Sequence, residues 1–256
     1  MVFSFAPTIM AAPAATGPGP AVEIINAILG NGGTLPPPHQ SALTTYIEQD
    51  LEDIWDRRIL LYGFLGGSAA AHGLNWSDLD SNTLSYLGTA ATHSSTGVQF
   101  NGGYAETDFI SSAGDFTLCG YSQSSDIRLG TINTGNAQPR FYAGILPTLL
   151  FVAINSTNEF SQTLGSPVKH FAAVRSGNAL LHYTNGSLAA TFSESPAPSG
   201  TEVLLGILRE QGAPTYPQGS ASVCQHYSIW QGALSATEIS ALYSAELTLQ
   251  TALGRN

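Results

Sequence analysis

The sequence predicts a mainly β chain: a two-sheet antiparallel jelly-roll sandwich with a short N-terminal helical segment and a C-terminal capped helix. Three observations carry this expectation. Beyond about residue 63 the chain is rich in Gly, Ser, Thr and Asn and carries short apolar runs at regular intervals, the pattern of all-β sandwiches. Within that region lies the meander HFAAV, ALLHY, SLAATF, from His170 to Phe192, whose second turn is Asn185-Gly186. That pair suits a type I′ hairpin, because both central residues must take positive φ. Finally, YSIWQGALSATEISALYSAELTLQTALGR, from Tyr227 to Arg255, runs an aromatic strand into a helix.

Taken in order, residues 1–20 are rich in Ala, Pro and Gly and lack the side chains to build a core, which predicts an extended arm suited to docking on a neighbouring subunit. Val22 to Leu29 has helical spacing and is stopped by Gly30-Asn31-Gly32-Gly33, after which Pro36-Pro37-Pro38 makes a stiff spacer. A second helix is expected with Leu43, Tyr46, Ile47, Leu51, Ile54 and Trp55 on one face. Together these predict a helical docking segment over 21–65, followed by the jelly roll over 66–256.

Within the jelly roll the apolar runs Thr148 to Ile154, Val203 to Arg209 and Ser222 to Trp230 are strand-length. The final helix is specified twice. Ser235 reads as N-cap with Glu238 at N3, and Leu234 and Ile239 stand at N′ and N4, which gives a capping box and a hydrophobic staple together. Ile239, Leu242 and Tyr243 then supply an apolar stripe that faces the sheet. No fixed-period repeat or coiled-coil heptad occurs.

Composition narrows the function. The chain has 256 residues, of which 43% are hydrophobic and only 10% charged, well below the roughly 25% of an ordinary soluble domain. Eight Lys and Arg oppose eighteen Asp and Glu, for a formal charge of −10, which argues against nucleic acid as a partner. The apolar N-terminus has no Lys or Arg before Arg57 and is interrupted by prolines, so no signal peptide is expected. No apolar stretch reaches the roughly 18 residues of a membrane span. Cys119 and Cys224 are the only cysteines and make neither a metal quartet nor a disulfide framework; buried small hydrophobes are the favoured reading, with a bridge as the lesser alternative.

The chemistry-bearing motifs are few. Glu48-Gln49-Asp50-Leu51-Glu52 spells a carboxylate alternation used by glycoside hydrolases on strands, but its apolar neighbours demand a helix, on which Asp50 points about 200° from Glu48. A solvated helix face is expected. Asp78-Leu79-Asp80-Ser81-Asn82 opens like a calcium loop, yet Thr83 stands where an EF-hand needs Gly and Thr89 where it needs Glu. A self-capping turn is the better reading, with a partial oxygen cage for calcium as the lesser alternative, and no cofactor is expected. The histidines at 39, 72, 93, 170, 182 and 226 show no close ligand spacing, and no G-x-S-x-G or papain-like context supports covalent hydrolysis. No catalytic residue is therefore assigned. Loop aromatics remain: Trp76, Tyr104, Tyr121, Tyr142 and Tyr216. Exposed rings stack on sugars or anchor interfaces, and Trp76, Tyr142 and Tyr216 are the candidates for glycan or interface contact.

Two resemblances add to this reading. The hairpin HFAAVRSGNALLHYTNGSLAAT and the Ser235 to Arg255 helix resemble the laminin-G-like, concanavalin A-like lectin jelly rolls. The stretch IWDRRILLYGFLGGSAAAHGLNW, followed by AATHSSTGVQFNGGYAETDF, is similar to virion structural proteins of tailed bacteriophages. There Ile54-Trp55, Tyr62, Phe64, Gly66-Gly67, His72, Asn75, Gly103-Tyr104, Thr107 and Phe109 occupy the matching places, while Gly63 replaces an expected proline and Arg57 and Arg58 replace lysines. The resemblance implies a non-enzymatic protein of the virion, placed in tail fibre, baseplate or head decoration, whose jelly roll decorates the particle or binds a host surface glycan. Its partners would be other virion proteins and copies of itself in a symmetric oligomer, a trimer by analogy. The alternatives are a polysaccharide-degrading enzyme on the same fold and a free glycan-binding lectin.

Overall fold

A computed structural model of the protein describes residues 18–122, 127–132, 140–146, 149–163, 168–198, 200, 202–206, 208–210, 213–215 and 222–255. The arm expected over 1–20 lies outside them except for its last residues, from which α1 (Pro20–Gly30) begins with Pro at its first turn, where the missing N–H costs nothing. After the proline spacer comes α2 (Pro37–Thr45).

The second helix departs from expectation. It does not run on to Trp55 but widens into a π-helical turn, Tyr46–Asp50, and then tightens into a 3-10 turn, Glu52–Arg57. The π turn is closed by the Leu51 amide donating to the Tyr46 carbonyl at 3.0 Å. The apolar set is still buried, except Trp55, which is half-buried. The change of pitch lets the Tyr46 hydroxyl donate to Glu246 on the C-terminal helix.

β1 (Arg58–Tyr62) falls inside the stretch read as a helical docking segment, yet it is a strand of the sandwich. After a single helical turn, α3 (Ala69–His72), come β2 (Ser85–Leu87), β3 (Thr92–Ser94), β4 (Gly97–Gln99), β5 (Tyr104–Ile110) and β6 (Phe116–Ser122). Next are β7 (Ile127–Ile132), β8 (Arg140–Leu146), β9 (Leu149–Ser156) and β10 (Phe160–Thr163). The predicted meander follows as β11 (His170–Ser176), β12 (Ala179–Thr184) and β13 (Ser187–Ser193). Its tight turn has φ of 47° at Asn185 and 77° at Gly186, as a type I′ turn requires. Then come β14 (Glu202–Leu205), β15 (Leu208–Glu210), β16 (Ala213–Thr215), β17 (Val223–Gln231) and α4 (Ala236–Ala252).

The strands form two sheets. The first has the order β13-β12-β11-β6-β17-β4-β3, with β1 also paired to β17; the second has β10-β9-β8-β7-β14-β5-β2, with β15 beside β7 and β16 beside β15. Among the described residues all pairings are antiparallel except β15 with β7. The mainly β, two-sheet sandwich with a C-terminal helix is thus the fold expected from sequence.

Alternation sorts the side chains. Along β17, Tyr227 and Ile229 join the core between the sheets, whereas Trp230 faces outward. Along β11, Phe171 and Ala173 point in, and Ala172 and Val174 point out. On that outer face lie α1, α2, the π and 3-10 turns and α4, which makes a third layer with its own core of Ile24, Ile28, Leu43, Ile47, Leu242 and Leu249. The capping box of α4 is complete, and the staple residues Leu234 and Ile239 are buried.

Candidate functional site

Where the helical layer meets the edge of the first sheet, it leaves a cleft of about 620 Å³. One wall is α1, which contributes Glu23, Ile24 and Asn26; the 3-10 turn supplies Trp55, β1 supplies Arg58, and the loop after α3 supplies Trp76 to Asp80. The loop is fixed to β1 by a double bond exchange. The Trp76 amide donates to the Leu61 carbonyl at 2.8 Å. The Asn75 side-chain oxygen accepts from the Leu61 amide at 3.0 Å and from the Ser77 amide at 3.1 Å. Asn75 is wholly buried, and its side-chain oxygen, which accepts from both amides, sets the loop's position.

Arg58 is the cation lining this cleft. Its guanidinium lies face-on to the Trp55 indole, with Cζ 3.8 Å from the ring centroid, a cation–π contact. One terminal nitrogen donates to the Trp55 carbonyl and the other to the Ser77 carbonyl, the latter at 3.4 Å. Burial lowers its pKa and the nearby Asp56 raises it in opposition. Across from it, Asp78 accepts from the Asp80 amide at 3.1 Å and from the Ser81 hydroxyl at 2.8 Å, and these bonds hold its carboxyl below the usual range. The Asp78–Asn82 segment is therefore a turn that caps itself. A carboxyl held low is the reverse of what a general acid needs.

Trp76 lines the cleft but is only 3% exposed. Its indole fills the space beside Gly63, where a Cβ would fall 1.8 Å from the ring. The expectation of an exposed stacking face is corrected accordingly: Trp76 is floor. Tyr142 is also buried, on the outer face of the second sheet with Phe151 and Ala153, and its hydroxyl donates to Glu159. Tyr121 is buried and Tyr104 half-buried; Tyr216 lies outside the described residues. Sequence reasoning missed Trp55 and Arg58 as a pair; they meet where the 3-10 turn ends and β1 begins, a junction that no spacing in the sequence marks.

On the other side of Trp55 a smaller opening of about 220 Å³ is lined by Glu48, Glu52 and Asp56. Glu48, Asp50 and Glu52 are exposed on the helical turns, as the solvated-face reading expects. Elsewhere a polar cluster is buried between the first sheet and α4. His170, Tyr121 and His226 stand in register across β11, β6 and β17. His226 meets the Glu246 carboxylate through Nδ1, and Gln250 donates to Glu246 at 3.4 Å. Burial pushes the pKa of His170 and of His226 down to about 3. Since a carboxylate only accepts, Nδ1 of His226 is the donor in this contact. His72 and His93 face one another through Nδ1 at 3.1 Å. Among the described residues no three His, Cys, Asp or Glu side chains gather as a metal site, and no helix is long and apolar enough to cross a membrane. Cys119 and Cys224 are free and buried on opposite faces of the first sheet.

No known protein family matches the chain, and no curated protein sequence matches it. Solved structures do. The ligand-binding domain of botulinum neurotoxin serotype D in complex with N-acetylneuraminic acid aligns over 77% of this chain and 52% of its own, at 8% identity and a TM-score of 0.52. Domain 4 of AbnA, a GH43 extracellular arabinanase from Geobacillus stearothermophilus, in complex with arabinotriose, aligns over 73% of this chain and 98% of its own, at 12% identity and a TM-score of 0.51. A Trypanosoma rangeli sialidase in complex with 2,3-difluorosialic acid aligns over 80% of this chain and 38% of its own, at 15% identity and a TM-score of 0.52. The chain thus spans about half of the neurotoxin structure and less of the sialidase. At these identities the likeness establishes the β-sandwich fold.

Proposed function

We propose that this chain is a non-enzymatic, glycan-binding β-sandwich of a tailed-phage particle, with a laminin-G-like jelly roll that presents the Trp55 cleft outward. The observation that carries the glycan part is the cleft itself: about 620 Å³, floored by Trp76, walled by the Trp55–Arg58 stack and rimmed by Glu23, Asn26, Asp78 and Asp80. Sugar sites combine an apolar surface with a few fixed polar groups in this way. That three fold neighbours are described with bound sugars or a sugar analogue gives support at the level of fold. The particle setting rests on the residue pattern from Ile54 to Phe109, with other virion proteins and further copies of this chain as its partners.

The test is glycan-array binding by the full-length chain, with Trp55→Ala as comparison. Saturable binding that falls by at least about tenfold in the variant supports the reading. Absence of binding across the array removes the glycan part. Release of shortened oligosaccharides from any bound glycan would replace it with the polysaccharide-degrading alternative.

A further inference from the structure

Resting on the glycan reading, we infer that the Trp55 cleft selects sugars that carry no acidic group: its ligand is a neutral pyranoside, and sialylated or uronic sugars are rejected. The argument is one of charge and hydrogen-bond direction. Three carboxylates, Glu23, Asp78 and Asp80, reach the cleft from two separate elements, and all three are exposed. A carboxylate accepts and does not donate, so its natural partners are hydroxyls, which pyranose rings present in adjacent pairs. Asn26 adds an amide that both donates and accepts.

The opposing cation is already partly engaged. Arg58 gives one terminal nitrogen to the Trp55 carbonyl and one to the Ser77 carbonyl, and its flat face lies on the indole. Each terminal nitrogen already spends an N–H on a backbone carbonyl and Nε is buried without a partner, which reduces its capacity for the bidentate grip that guanidinium makes on a carboxylate ligand. An acidic sugar would set a fourth anion among three. One unit-charge repulsion at about 5 Å in water lowers affinity roughly fourfold; three such repulsions, offset by one fixed cation, leave roughly sixteenfold against the acidic sugar. The same sign continues beyond Trp55, where Glu48, Glu52 and Asp56 line the smaller opening. A polymer lying across Trp55 therefore meets carboxylates at both ends of its track.

The experiment compares matched glycans that differ only in the acidic residue, such as lactose with 3′-sialyllactose, presented in pairs on an array and then titrated against the full-length chain. The expected result is that the neutral member of each bound pair is at least about tenfold tighter, and that the gap narrows severalfold when salt is raised. Glu23→Gln combined with Asp80→Asn, two exposed sites that keep hydrogen-bonding atoms, should narrow the gap in the same way while circular dichroism is unchanged. Equal or tighter binding of the acidic member overturns the inference and leaves the glycan reading standing. Neutral binding with a gap that neither salt nor the double variant moves places the site elsewhere and also overturns it. Failure to bind any glycan removes the glycan reading itself, and this inference with it.

Discussion

Arg255 donates through Nη2 to the carbonyl oxygen of Phe64 at 2.6 Å, joining positions 191 residues apart. The same side chain, 1% exposed, also donates from Nε to the Ser95 carbonyl at 2.8 Å. It thereby ties the residues after α4 to the turn that follows β1, where Phe64 itself has a φ of 44°. Burial lowers its pKa to about 10, so the guanidinium remains charged at neutral pH and its bonds are charge-assisted.

Arg255→Ala should leave buried carbonyls without donors and lower stability by about 2–4 kcal/mol. Arg255→Lys should recover only part, because an ammonium cannot reach several diverging carbonyls at once. Urea denaturation of the three proteins measures this; an unchanged midpoint in the alanine variant would show that water replaces the side chain without cost.

Gly63→Ala should cost about 2–3 kcal/mol, since the new methyl would fall 1.8 Å from the Trp76 ring. Combined with Trp76→Phe, which shortens the clashing ring, the loss should be less than the sum of the two single effects. A double-mutant cycle by thermal denaturation reads the coupling, and strict additivity would mean that the indole moves aside freely.

Acid should destabilise the protein well above the carboxylate range. Burial lowers His170 to about 3 and His182 to about 4, whereas an unfolded histidine titrates near 6.5. As pH falls through 6.5 the unfolded chain takes protons first, so the stability present above that value declines toward pH 4 and 3. At pH 5 each of the two rings accounts for about 2 kcal/mol. Urea midpoints at about pH 7.5 and pH 5 should differ accordingly, and the slope should flatten in the His170→Gln, His182→Gln double variant. Equal wild-type midpoints at the two pH values would contradict the assignment of these rings as neutral.

Both thiols should be silent in the native state. Burial raises the pKa of Cys224 to about 12 and pushes Cys119 higher still, and the thiolate is the reactive form. A chromogenic disulfide reagent should find no thiol in buffer and both in denaturant, without reductant. Fewer than two in denaturant would reveal a bridge.

Much of the fold was legible because its signals are local. Ser235 with Glu238, and Asn185 with Gly186, specify a helix start and a hairpin turn within four residues each. β1 was missed for a physical reason: Leu60 joins the core between the sheets and Leu61 the core under the helices. A strand buried on both faces loses the alternation that marks strands. The π turn at Tyr46–Asp50 was illegible because the apolar stripe survives a change of pitch. At the site, Trp76 was found but misjudged, since its burial depends on the missing Cβ of Gly63. The contribution of Glu23 follows from the packing of α1 on the sheet, and no spacing in the sequence encodes that.

β17 is the last of the described strands in sequence, yet it lies between β6 and the pair β1 and β4. During synthesis, β6 and β11–β13 emerge long before the partner that joins them to β1 and β4, so the first sheet has to wait with an unfilled gap. Such an order of assembly makes for slow folding and leaves open strand edges in the meantime. It also makes the protein hard to nibble: a ribosome that stalls before residue 223 releases two halves of a sheet with nothing between them, and quality control would meet a chain that sticks to others rather than a slightly shortened sandwich.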